Sequence, residues 1–347
     1  MNRKTFLKSS LLGAGAGLMF QMPFTGHHVP AAAVWESFAK APESGTYDVI
    51  IAGGSFAGLS AAMGLGRCMR STLMIDSGLP RNRMSPTANN LFSRDGENPR
   101  EIAATVHGQL RQYQEFLQMK NGEIVSATKT ENGFAVQTAD GGQYEARFLV
   151  LATGLHDELL TGIEGLEELW GNGIYHCPYC HGWENRNRKT ALISQGASRV
   201  AMASTLANWT NDITVFTQGE QVDFPDEVLE MLHRNGIRLK NETIYRIKGT
   251  PGDLLIHTVE SAQPHAFETC YAPGTMRHHT KLAEDLGCEL SGRGAVQVND
   301  TYETSVPGVL AIGDLCSRSN GQVIHAAYSG TVSAVRVNLA FLQERFR

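Results

Sequence analysis

The sequence lacks a second Cys-x-x-Cys pair, a long apolar run and a basic cluster, and each absence removes a class of protein. A zinc site built on Cys177 and Cys180 needs two more ligands at similar spacing, and these are missing, so zinc is the minor alternative to a redox pair. The apolar stretch 11–20 is shorter than the about 20 residues that span a bilayer, which disfavours a membrane anchor. A net charge of -5, with no long run of Lys or Arg, sets nucleic acid aside as a partner. Six cysteines in 347 residues are too sparse for a disulfide scaffold. His278-His279 has no Cys, Asp or Glu cluster beside it, so it reads as a surface turn and no metal is expected.

What remains is a globular composition, 42% hydrophobic and 19% charged, with 36 glycines that suit tight turns around phosphates. The length fits two domains and a short leader. Arg3-Lys4-Thr5-Phe6-Leu7-Lys8 is basic, 11–20 is apolar, and Ala31-Ala32-Ala33 offers small residues for cleavage. Residues 1–33 therefore read as an export signal, followed by a polar linker over 34–46, and the expected location is the periplasm. Arg3-Lys4 resembles the twin-arginine motif with its second Arg replaced. A general secretory signal, or an apolar extension of a cytoplasmic enzyme, are the alternatives.

Residues 47–52 form a strand-like run, followed by Gly53-Gly54-Ser55-Phe56-Ala57-Gly58 and a helical stretch over 59–67. The next strand, 71–75, ends in Asp76, close to the offset at which an acidic residue meets an adenosine ribose. This is the pattern of a dinucleotide-binding βαβ unit. Ser55 stands at the second essential glycine position and is small enough for the backbone to approach a pyrophosphate. Packing alone also produces glycine-rich turns, but two distant segments support the nucleotide reading. Strand 148–151 ends in Ala152-Thr153-Gly154, and strand 309–312 ends in Gly313-Asp314 before a long helical stretch from Gln322.

Between these segments lies a second α/β unit, with strands over 190–193 and 213–216 and helices over 198–209 and 225–235. The predicted fold is α/β, with two Rossmann-like three-layer nucleotide-binding domains, the second inserted into the first. Residues 47–156 and 271–347 make the first, 157–270 the second, and Pro273-Gly274 the return hinge. The second carries Cys177-Pro178-Tyr179-Cys180-His181-Gly182, where Pro178-Tyr179 suits a tight turn opening a helix, whose N-terminus lowers a thiol pKa. His181 either exchanges protons near neutral pH or packs beside the pair. Cys68 and Cys288 read as small buried hydrophobes. Trp170, Trp183 and Trp209 read as core or rim aromatics.

These landmarks, over about 47–342, resemble the low-molecular-weight thioredoxin reductase family, whose FAD domain is interrupted by a nucleotide-binding-like domain. The resemblance implies FAD held by Gly53, Ser55, Phe56, Ala57, Gly58 and Asp76, with Asn90, Thr153 and Gly154 nearby. It implies Asp314 on the ribityl chain, Gln322 and Val323 at the flavin ring, and His325 either tuning that ring or packing. Cys180 would face the flavin as the charge-transfer thiolate, and Cys177 would exchange with the substrate.

The departures are informative. The glycine fingerprint expected after strand 190–193 is Ser194-Gln195-Gly196-Ala197-Ser198-Arg199, and the cationic loop after 213–216 is Thr217-Gln218-Gly219-Glu220, so NAD(P)H is a doubtful substrate. His181 replaces the aspartate of the reductases, which resembles dithiol oxidases that pass electrons from a dithiol through the Cys pair to FAD and then to oxygen. The expected protein is an FAD-dependent thiol-disulfide oxidoreductase, a homodimer, acting on a small dithiol or a thioredoxin-like protein disulfide through Cys177, Cys180 and His181. The alternatives are an NADPH-dependent thioredoxin reductase and a non-catalytic flavin-binding module.

Overall fold

A computed structural model describes residues 44–194, 197–220, 224–272 and 274–347. The expected leader, most of the linker, Gln195-Gly196 and the hinge residue Pro273 lie outside these residues, as do the side chains of Ser198 and Arg199.

Strand β1 (Ser44–Ala52) turns into helix α1 (Phe56–Arg67), which returns to β2 (Thr72–Asp76). Helix α2 (Pro99–Leu110) starts at Pro99, with the Asn98 side chain accepting from Arg100 N, and leads to β3 (Leu117–Asn121). Strands β4 (Ile124–Thr130), β5 (Gly133–Thr138) and β6 (Gln143–Leu151) run antiparallel to one another and bring β6 parallel to the free edge of β1. The sheet order is β3-β2-β1-β6-β5-β4. Ile50, Ile51, Leu73, Met74 and Leu149 are fully buried at its centre, each contributing about 1.5–3 kcal/mol of transfer free energy.

Strand β7 (Leu155–Glu158) leaves this sheet. Then follow β8 (Ile174–Tyr175), helix α3 (Pro178–His181), β9 (Thr190–Ile193), α4 (Ala197–Leu206), β10 (Ile213–Phe216), α5 (Asp226–Arg234) and β11 (Arg238–Lys240). An antiparallel trio, β12 (Ile244–Thr250), β13 (Asp253–Thr258) and β14 (His265–Phe267), precedes β15 (Thr269–Tyr271). The second sheet is parallel, in the order β11-β10-β9-β15-β8. Strand β16 (Thr275–His278) pairs antiparallel with β7, so both chain crossings between the sheets run through one two-stranded ribbon. After α6 (Lys281–Asp285), β17 (Val309–Ala311) joins β6 in parallel, a 3-10 turn covers Gly313–Leu315, and α7 (Val323–Arg345) closes the chain against α1. That helix contact depends on Gly330, where a Cβ would stand 2.3 Å from the Ala57 carbonyl oxygen.

Three sequence expectations are corrected. The linker ends earlier than residue 46, because Ser44–Tyr47 already pair with Gln143–Ala146. Tyr271 does not open the returning segment: it pairs with Tyr175 and Leu192 and is buried in the second sheet. Cys68 is half-buried rather than core, since it sits beyond the last turn of α1.

Candidate active site

The turn from β1 to α1 is built by contacts only glycine allows. Gly53 has φ +105°, and a Cβ on Gly58 would lie 1.9 Å from the Gly53 carbonyl oxygen. Ser55 has φ -82° and an extended ψ, so serine sits there without strain, and its side chain caps nothing in α1. The unpaired N–H groups of the first turn of α1 therefore meet a cavity lined by Gly53, Ser55, Phe56 and Ala57. Asp76, at the end of β2, accepts from Gly54 N at 2.8 Å and from Gly78 N at 3.1 Å. Burial pushes its pKa up against backbone hydrogen bonds from Gly54, Gly78 and Ser77.

The cavity measures about 880 Å³, at the upper end for small-molecule sites, and runs past Thr153 and Gly154 to Asp314, Gln322, Val323, Cys180 and His181. Thr153 Oγ1 donates to the His279 carbonyl at 2.8 Å, and His279 N donates to the Gly154 carbonyl at 3.0 Å. The guanidinium of Arg81 donates twice to Asp157, at 2.8 and 2.7 Å, and once to Asp314 at 3.2 Å. Burial alone would raise the Asp157 carboxyl, but Arg81 brings it below the usual carboxylate range. Ser319 Oγ donates to the other oxygen of Asp314 at 2.7 Å. A helix N-terminus for a pyrophosphate, with carboxylates at Asp76 and Asp314 for hydroxyl groups, is a donor and acceptor set that fits a dinucleotide such as FAD.

Cys177 and Cys180 are joined as a disulfide at the far end of this cavity. Cys177 is the extended N-cap of α3, Pro178 is its first helical residue, and Cys177 Sγ accepts from Cys180 N at 3.1 Å. Cys180 lines the cavity and Cys177 does not. Gln322 Nε2 donates to Cys180 Sγ at 3.3 Å, and its Oε1 accepts from Asn90 Nδ2 at 3.2 Å. Asn89 Nδ2 donates to the Cys180 carbonyl at 2.8 Å.

His181 stacks on Tyr175 with ring centroids 4.4 Å apart. Ser85 Oγ spends its only proton on the Thr87 carbonyl at 2.7 Å, so at 3.3 Å it accepts from His181 Nε2. The proton then sits on Nε2, and Nδ1, buried without a hydrogen-bond partner, keeps a free lone pair. Burial, followed by the neighbouring His176, pushes His181 down to about 4. The sequence expectation of titration near neutral pH is corrected: the ring is uncharged at pH 7. His176 is also pushed down to about 4, by burial and then by Arg81, and stacks on Trp170 at 5.7 Å.

Asn90 reaches the cavity only through Gln322 and does not line it. It is exposed, with φ +58°, and its neighbour Asn89 lines the cavity instead. Nor do His278 and His279 form a plain surface turn. His278 ends β16, His279 Nε2 lies 3.1 Å from His156 Nδ1, and all three line the cavity wall. His325 packs on Tyr302, its Nε2 3.2 Å from the phenol oxygen. Arg81, Asn89, Asp157 and His176 escaped the sequence reading. His176, directly before Cys177, and Asn89, directly before Asn90, stood beside residues that the sequence pointed to.

The loop after β10 contrasts with the one after β2. Thr217 donates to Asn241 at 2.6 Å, and the Gln218 amide, in a residue with φ +56°, pairs with both N and O of Ile244 at 2.9 and 3.2 Å. The nearby Lys240 is paired with Glu242 at 2.6 Å. No cation stands in residues 217–220 to receive a 2'-phosphate.

Residues 47–330 match the family model described as pyridine nucleotide-disulphide oxidoreductase. A thioredoxin reductase of Gibberella zeae is 29% identical over 334 residues, covering 83% of this chain and 95% of that protein. A thioredoxin reductase of Listeria monocytogenes is 26% identical, covering 84% and 92%. The crystal structure of the oxidoreductase from Agrobacterium tumefaciens superposes with a TM-score of 0.78 at 30% identity, covering 86% of this chain and 99% of that one. With a dinucleotide cavity that ends on a Cys-x-x-Cys disulfide, the chain belongs to the pyridine nucleotide-disulphide oxidoreductase family, as a thioredoxin reductase-like enzyme.

Proposed function

We propose that the protein is an FAD-dependent oxidase of a small dithiol. The observation that carries this reading is the cation-free loop 217–220, tied back onto Asn241 and Ile244, in the same unit as a disulfide whose Cys180 faces the dinucleotide cavity. Oxidation of two thiols releases protons, and the buried His181 is too weak a base to hold them, so they leave to solvent. A substrate thiolate attacks Cys177 Sγ, the Cys177–Cys180 bond breaks, and the electron pair stays on Cys180 Sγ as a thiolate. The second substrate thiol loses its proton to solvent and attacks the substrate sulfur of the mixed disulfide. Cys177 leaves as a thiolate and takes up a proton, so two substrate thiols become one disulfide and the enzyme pair becomes reduced. When bound, FAD supplies the two-electron sink that reoxidises the pair.

In this reading oxygen is the final acceptor, and the protein works as an exported homodimer. Export is supported by the three-part leader over 1–33, and it would separate the enzyme from cytoplasmic NADPH. Dimerisation is supported by Ile324, Tyr328, Val335 and Leu339, which leave an exposed apolar stripe along α7. A second reading, NADPH-dependent reduction of a thioredoxin-like disulfide, is favoured by the names of the relatives. It is weakened by the self-tied, cation-free loop 217–220.

Anaerobic stopped-flow reduction of the FAD-loaded enzyme separates the two. Dithiothreitol is expected to bleach the flavin, and air to restore the colour with release of peroxide, while micromolar NADPH leaves it oxidised. Fast bleaching by NADPH would overturn the oxidase reading.

A further inference from the structure

We infer that Gln322 is a catalytic residue at sulfur, stabilising the Cys180 thiolate through its side-chain N–H, and that Asn90 is the positioning residue that aims it. This rests on the proposed exchange at Cys177 and deepens it. Resemblance alone assigns Gln322 to the flavin ring, yet its side chain points its donor at the disulfide: Nε2 lies 3.3 Å from Cys180 Sγ and 3.9 Å from Cys177 Sγ.

The geometry selects one sulfur and one end of the amide. Gln322 is the N-cap of α7 but makes no side-chain cap bond, so its amide is free for another task. Its backbone is held on both sides, since its N–H donates to Asn320 Oδ1 at 3.1 Å and its carbonyl accepts from Ala326 N at 3.0 Å. Asn90 Nδ2 donates to Gln322 Oε1, which fixes the oxygen away from the sulfurs and leaves Nε2 facing them. Asn90 is itself locked in a left-handed conformation, with its N–H on Asp95 Oδ1 at 2.6 Å.

A donor at this place acts when the disulfide opens. As Cys177 is attacked, the S–S bond breaks and its electron pair passes to Cys180 Sγ, where negative charge develops against Nε2–H. A hydrogen bond to the charged form lowers a pKa, and a less basic thiol leaves faster. The same bond serves the reverse step, because the thiolate that re-forms the disulfide is kept ionised. The assignment therefore holds for either direction of electron flow.

The test is alkylation of the fully reduced holoenzyme with iodoacetamide across a pH series, with the Cys177 and Cys180 labels separated by peptide mass spectrometry. Gln322→Leu keeps the volume and removes the donor. It is expected to raise the Cys180 midpoint by about one pH unit, a tenfold loss of thiolate below that midpoint, and to move Cys177 far less. Asn90→Gly keeps the left-handed backbone and removes only the aiming amide, so a smaller rise in the same direction is expected, and this variant serves if Gln322→Leu fails to fold. An unchanged Cys180 midpoint in the folded variants, or equal shifts at both cysteines, would overturn the role. The readout needs no turnover: if NADPH bleaches the wild-type flavin but the Cys180 midpoint still rises, the oxidase direction falls and the role of Gln322 stands.

Discussion

The turns that follow β2 and β10 each close the second parallel strand of a β-α-β unit and have opposite fates. After β2, Asp76 lines a cavity with its carboxylate held by backbone N–H groups of its own turn and of Gly54. After β10, Thr217 and Gln218 turn their polar atoms back onto Asn241 and Ile244. A Rossmann-like sheet thus supplies a place for a nucleotide, and the side chains of its loops decide whether hydrogen-bonding capacity is left over for one. The first sheet keeps that capacity and the second spends it internally.

This contrast can be broken from either side. The largest effect is expected from Asp76→Ala, which removes a charged acceptor from the cavity wall. Affinity for FAD should fall about ten- to a hundredfold, seen as loss of visible absorbance on gel filtration. Gly58→Ala places a Cβ against the Gly53 carbonyl, and should cost about 1–3 kcal/mol of stability together with part of the bound flavin, read by thermal unfolding with and without added FAD. The smallest effect is expected from Gln218→Ala. It removes two bonds to Ile244, so stability should drop by about 1–2 kcal/mol, while flavin content and dithiol-driven reduction stay at the wild-type level. A loss of flavin in Gln218→Ala equal to that in Asp76→Ala would erase the distinction between the two turns.

The elements that pattern and spacing determine were legible in the sequence. β-branched runs gave the strands at Val49–Ala52 and Thr190–Ile193, and Gly53, Gly58 and Asp76 marked the turn because glycine and acid there answer local geometric demands. Contacts made across long separations were not legible. Arg81 meets Asp157 and Asp314 across 76 and 233 residues, and nothing local marks an Arg in a Pro-Arg-Asn loop as the hub of a buried network. Asn89 and Asn90 are adjacent and chemically identical, yet Asn89 lines the cavity and Asn90, with a left-handed backbone, does not. The protonation of His181 likewise depends on burial by Tyr175 and the neighbourhood of His176, which composition does not reveal.

The ribbon of β7 and β16 has a mechanical meaning. Because both crossings between the sheets run through it, and its strands are bonded to each other from Leu155–His278 to Glu158–Thr275, the second sheet hangs on a torsion bar rather than on two loose tethers. A paired two-stranded ribbon carries a stronger twist than a wide sheet, so the angle between the two sheets is set by the coiling of one short support. Arg81 ties that ribbon, at Asp157, to the cavity wall at Asp314, so one guanidinium links the support to the nucleotide site.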